Sequence, residues 1–193
     1  MEILGKILGS TARVKIMRLF LLSRGKGFQK KDIVSRSRTS SEVVGRELKL
    51  LSSINFIKKR NLEWSFNSNF QYADELESLL VRTNSLSKQT ILDHLKKAGR
   101  VKLVVASGIF IKNNDSRVDL LIVGDKMSRG KIESGIRRLE AEMGVELIYA
   151  IFDTEEFVYR VSMYDKLVRD ILDYPHEILL QVRELSTQAL KKS

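Results

Sequence analysis

Ser40-Ser41-Glu42-Val43-Val44-Gly45-Arg46-Glu47-Leu48-Lys49-Leu50-Leu51-Ser52-Ser53 is the stretch that decides the fold of the first part of this chain. Val44, Leu48 and Leu51 recur at i, i+4 and i+7, the spacing of a single apolar stripe on a helix. The turn Thr39-Ser40-Ser41 is rich in capping residues, so a helix is predicted from about Ser41 to Ser53. With the stripe inward, Ser41, Glu42, Gly45, Arg46 and Lys49 face out. Asn55 follows where a left-handed residue would stop the helix.

Upstream, Thr11 to Leu22 carries Val14, Met17 and Leu21 on one side, with Ser10 or Thr11 as its N-cap and Gly25 and Gly27 after its end. A short helix is predicted from about Lys30 to Arg36, with Ile33 and Val34 inward. Downstream, Phe56-Ile57-Lys58-Lys59-Arg60, a turn at Asn61, and Leu62 to Asn67 read as a hairpin. Leu62, Trp64 and Phe66 alternate in its second arm. Trp64 and Phe66 are read as hairpin core rather than as base-stacking residues. Three helices and a two-stranded ribbon, in that order, predict a winged helix-turn-helix. Connecting helices follow over Tyr72 to Thr83 and Ser87 to Ala98, with a domain boundary near residue 85.

Charge supports that division. The 193 residues carry a net charge of +10. Residues 1–70 hold 15 Lys and Arg against 5 Asp and Glu, while residues 71–193 hold 19 of each. A basic domain beside a neutral one implies a polyanionic partner for the first. The chain has no cysteine, which excludes disulfides, thiolate zinc sites and cysteine nucleophiles. Its two histidines, His94 and His176, are too few and too far apart in sequence to suggest a metal cluster. The apolar stretch Val14 to Leu22 is interrupted by Lys15 and Arg18, too short and too charged to span a bilayer. The expectation is a soluble cytoplasmic protein with no membrane partner, no cofactor, no metal and no catalytic residues.

In a helix-turn-helix the second helix lies in the major groove and its N-terminal residues touch base edges. Arg46 can donate two parallel hydrogen bonds to a guanine edge. Ser40 and Ser41 suit phosphate or base contacts, Gly45 permits close backbone approach, and Lys49 faces the same way. Lys58, Lys59 and Arg60 on the wing, and Arg36 and Arg38 in the turn between the helices, suit phosphates, which add affinity without sequence information. The competing readings are a solvated basic face and a protein-interaction module. Residues 8–67 resemble bacterial and archaeal winged-helix transcriptional regulators. Leu8 to Phe20 is similar to their opening helix and Ser40 to Leu51 to their recognition helix.

The second half alternates strand and helix. Val101 to Ala106 and Val118 to Val123 are apolar runs suited to buried strands. A helix follows from Ser128 to Gly144, with Ile132, Ile136, Leu139 and Met143 on one side. A third strand is predicted over Val145 to Phe152, then a helix capped by Asp153. A further helix runs to Tyr174, a short strand covers Glu177 to Leu180, and the domain closes in a C-terminal helical tail. The order of residues 87–180 resembles the minimal nucleotidyltransferase domains of the DNA polymerase beta-like superfamily, which a subset of winged-helix regulators also carries. That family places Gly-Ser after its first strand and Asp-x-Asp on the next, for nucleotide phosphate and magnesium. Here Gly108 falls at the glycine, Ile109 at the serine, and Arg117-Val118-Asp119 at the carboxylate pair. Only Asp119 survives of the two acids, and Glu146 or Leu147 falls near the third. Lys112 and Arg117 could still attract an anion.

The sequence therefore predicts an α+β protein: residues 1–85 a winged helix-turn-helix, residues 86–193 an α/β nucleotidyltransferase-like domain with a degenerate site. The expected function is sequence-specific binding of double-stranded DNA in transcription regulation. Homodimerisation and a nucleotide or protein effector are the further partners this reading allows. The alternative is an active nucleotidyltransferase that uses its basic domain to find substrate.

Overall fold

The computed structural model of the chain describes residues 3–82, 86–113 and 115–185. It is a mixed α and β protein with two separate sheets. The residues form two compact units, 1–85 with 137–146, and 86–136 with 147–193. Among the described residues no helix is long and apolar enough to cross a membrane.

The first unit begins with α1 (Ile3–Ile7), α2 (Thr11–Leu22), β1 (Gly27–Gln29), α3 (Lys30–Ser37) and α4 (Ser41–Ser53). There follow β2 (Ile57–Arg60), β3 (Glu63–Phe66), α5 (Ala73–Glu77) and a π-helical turn over Ser78–Arg82. Ser10 caps α2 by accepting the Arg13 N–H at 3.1 Å, and Ser40 caps α4 by accepting the Val43 N–H at 3.5 Å. Left-handed residues close α3 and α4, Arg38 at φ 50° and Asn55 at φ 58°. Val44, Leu48 and Leu51 turn inward as their spacing predicts and join Val14, Phe20, Ile33 and Phe56 in one core.

The sheet of this unit has three strands, in the order β1-β3-β2, both pairs antiparallel. The sequence predicts only the last two. Gly27-Phe28-Gln29 is too short for a period-two signal and opens on glycine, a poor strand former. Phe28 nevertheless enters the core, its ring 5.8 Å from that of Phe20 and edge-on to it. Leu62, expected to alternate inward with Trp64 and Phe66, instead lies in the turn beside Asn61 (φ 56°) and is 72% exposed. A two-residue turn consumes it before pairing resumes at Arg60↔Glu63.

Arg18 on α2 is fully buried. Its Nε donates to the Leu80 carbonyl and one terminal nitrogen to the Glu142 carbonyl, each at 2.7 Å. Gly144 (φ 83°) packs directly on it, because a Cβ there would come within 2.8 Å of the Arg18 Cβ.

The second unit opens with α6 (Lys88–Leu95), capped by Ser87, and a 3-10 turn to Ala98. Then come β4 (Arg100–Ala106), a 3-10 turn over Gly108–Ile111, β5 (Leu120–Asp125) and α7 (Arg129–Met143), whose residues from 137 on belong to the first unit. The unit continues with β6 (Tyr149–Phe152), α8 (Thr154–Ser162), α9 (Lys166–Asp173) and β7 (Glu177–Gln181). Sheet order is β6-β5-β4-β7, with only β5 and β6 parallel. The two central strands are buried almost throughout, as their apolar runs predict, and Lys102 within β4 is buried with them, its ammonium paired with Asp125. The third strand is shorter than expected: residues 145–148 are irregular, so neither Glu146 nor Leu147 lies on a strand. The expected C-terminal tail beyond residue 185, and Thr83 at the end of the first connecting helix, lie outside the described residues.

Replacing Arg18 with alanine leaves a cavity and two carbonyls without their charged donor. The expected loss is about 3 kcal/mol. Urea unfolding of the full chain, followed by the fluorescence of its one tryptophan, Trp64 in β3, checks it in the first unit.

Candidate nucleic-acid interface

The stripe that buries Val44, Leu48 and Leu51 also fixes which residues α4 presents to solvent. Ser41, Arg46 and Lys49 are exposed and Gly45 is half-buried. Glu47 would place a negative charge on this helix, but it is turned inward and is only 7% exposed. Its carboxylate accepts from Arg13 Nε at 2.8 Å, and Arg13 also donates to the Leu8 carbonyl at 2.6 Å. That leaves Glu42 as the one outward acid on α4 against Arg46 and Lys49. Arg13, absent from the expected set, thus ties α4 to α2 and withdraws the Glu47 carboxylate from its outer face.

The cations of β2 divide by strand alternation. Ile57 is buried, so Lys58 and Arg60 project from the opposite side of β2. Lys59 shares the face of Ile57 and pairs in register with Trp64, its ammonium 4.9 Å from the ring centroid. Arg38, Arg46, Lys49, Lys58 and Arg60 are all exposed and form no ion pair among the described residues.

The other expected contacts are partly committed elsewhere. Arg36 pairs with Glu146 at 2.9 Å and lies over the Phe28 ring at 5.4 Å, so its guanidinium is not a free cation. The Ser40 hydroxyl is engaged as the cap of α4. Gly45 faces Lys30, whose Nζ would lie 3.3 Å from a Cβ at that position. Lys30, also absent from the expected set, therefore brings an ammonium to the outer side of the helix pair. A signal for it exists in the sequence. Lys30 and Lys31 open α3, where the helix dipole disfavours cations, so local helix stability does not account for them.

In the second unit, the residues matched to a nucleotidyltransferase centre form a structural joint. Gly108 has φ 55°, and a Cβ there would overlap Asp119 Oδ1. Asp119 Oδ1 accepts the Ile109 N–H and Oδ2 the Ile148 N–H, both at 2.9 Å. Its own N–H donates to the Ile148 carbonyl at 2.6 Å. Arg117 is ion-paired with Asp170 on α9, and Glu146 is tied to Arg36. These residues do not fit magnesium: each oxygen of the Asp119 carboxylate already accepts a backbone N–H, and the position two residues before it carries the cation of Arg117. Lys112 closes the preceding 3-10 turn in the left-handed region at φ 58°. Elsewhere in this unit the Lys102 ammonium, 2.8 Å from Asp125, holds that carboxyl below its usual range, and the Asp125 carboxylate raises the lysine in turn.

No family model, curated protein or solved structure matches the chain.

Asp119→Asn keeps the shape but turns one acceptor into a donor facing an N–H. The expected cost is about 1–3 kcal/mol. Hydrogen exchange should accelerate at the amides of Ile109 and Ile148, with Arg46 and Lys49 on α4 unaffected.

Proposed function

We propose that the chain is a sequence-specific double-stranded DNA-binding transcriptional regulator. Its first unit would act as a winged helix-turn-helix, and its second as a nucleotidyltransferase-like sensor domain without catalytic capacity. The observation that carries this reading is the set of exposed cations on the outer positions of α4 and β2 that form no ion pair among the described residues, with the Glu47 carboxylate withdrawn from the same face of α4. Thirteen residues make α4 about 20 Å long, and a helix of that kind fits a major groove about 12 Å wide. Arg46, in its second turn, is the base reader. Arg38, Lys49, Lys58 and Arg60 meet phosphates. The two oxygens of Asp119 and the cation at Arg117 support a second unit that binds or relays rather than reacts.

Fluorescence anisotropy of labelled duplexes tests this at several salt concentrations. Four phosphate contacts predict a slope of log affinity on log salt near −4. Lys58→Ala with Arg60→Ala should make that slope shallower by about 2 on every duplex. Arg46→Ala should cost about 1–3 kcal/mol on the preferred site and little on random DNA. A flat salt response would overturn the reading in favour of a protein partner. Incubation with magnesium and labelled nucleoside triphosphates should transfer no label to protein or substrate.

A further inference from the structure

We propose that the second unit carries a binding site for a small organic anion with an apolar or aromatic body, along β6 and the carboxyl end of β5. A cavity of about 340 Å³ opens there, within the size range of small-molecule sites. Its lining follows the edge strand β6 from Tyr149 through Ile151 to Asp153 and takes in Gly124 and Lys126 at the carboxyl end of β5. Met127, Tyr149 and Ile151 wall it with half-buried side chains, so a bound molecule would rest against two apolar side chains and one aromatic ring.

The charges of the lining select the sign of the ligand. Lys126 and Arg129 both line the cavity, and Lys126 forms no ion pair among the described residues. Arg129 touches Glu133 at 3.4 Å, but its side chain is 87% exposed, so the pair is loosely held and open to exchange. The one carboxylate in the lining, Asp153, is engaged in capping α8, where it accepts the Glu156 N–H at 2.7 Å. An anion therefore meets two cations and an acid already occupied by backbone.

The loop that carries Lys126 is pinned in place. Ser128 N–H donates to the Ala98 carbonyl at 2.6 Å. Gly99, at φ 142°, lets the chain cross so closely that a Cβ there would stand 2.6 Å from the Lys126 carbonyl oxygen. Lys126 itself takes the left-handed conformation, φ 50°, which a lysine adopts at an energetic cost. Its ammonium is thus presented at the cavity rim by a fixed backbone. The site owes nothing to the DNA-binding reading and stands if that reading falls.

The experiment uses the full chain with two probes of the same body, 8-anilinonaphthalene-1-sulfonate and the neutral N-phenyl-1-naphthylamine, followed by fluorescence. Circular dichroism controls the folding of each variant. The sulfonate should bind saturably with one site per chain. Lys126→Gln should weaken it about tenfold and leave the neutral probe unchanged. Tyr149→Ala should weaken both probes, and Arg138→Gln, away from the cavity on α7, should change neither. Absence of saturable binding would overturn the proposal. So would equal loss from Lys126→Gln and Arg138→Gln, which would mark general attraction to a basic surface.

Discussion

The buried guanidinium of Arg18 is the constraint around which the first unit is arranged. A cation removed from water costs several kcal/mol unless charge and hydrogen bonds are returned to it. Here two carbonyls receive its donors, from Leu80 in the π-helical turn and from Glu142 in the last turn of α7. Carbonyls at a helix C-terminus carry the negative end of the helix dipole, so the Glu142 oxygen is a favourable partner for an arginine. Held between those two acceptors, the side chain ties α2 to the π-helical turn and to the end of α7. Val14, Phe20 and Leu21 then have one direction in which to bury, and α3 and α4 pack where that core allows.

A second buried charge extends the same logic to the proposed DNA-reading helix. Glu47 lies on the core side of α4 because Arg13 meets it there, and α2 supplies Arg13 from the turn before Arg18. Had Glu47 faced solvent, its carboxylate would have stood next to Arg46 and repelled phosphate. One arginine on α2 thus ties that helix to its neighbours and another withdraws one of the two acids of α4 from its surface.

Much of this was legible in the sequence, and the gaps have physical causes. The bounds of α4 follow from Ser40, the 3.6-residue stripe and Asn55, three signals that agree on one element. β1 escapes notice because three residues cannot display a period, and its partner β3 is distant in sequence. Leu62 misleads because alternation continues by accident into a turn. Arg36 reads as a free cation until the fold brings Glu146 to it, a pairing across 110 positions that no local pattern can show. Likewise Asp119 reads as a remnant of an acidic pair. Only the positions of Ile109 and Ile148 reveal that its two oxygens close a joint between two chain segments. Local propensity finds elements; long-range partners decide what a charged side chain is for.

The first unit is discontinuous: residues 137–146 complete a core begun by residues 1–85. During synthesis, therefore, Arg18 leaves the ribosome long before its partner carbonyl at Glu142 exists. At roughly 5–20 residues per second, the interval is several seconds or more. Throughout it the basic segment must persist with Arg18 lacking its Glu142 acceptor and with an incomplete apolar surface, while the intervening strands emerge. The order in which the protein becomes competent is then set by the position of α7 in the gene, not by the order of its units along the chain. A nascent chain stalled before Arg137 would hold every cation of the proposed interface and still lack the segment that completes their unit.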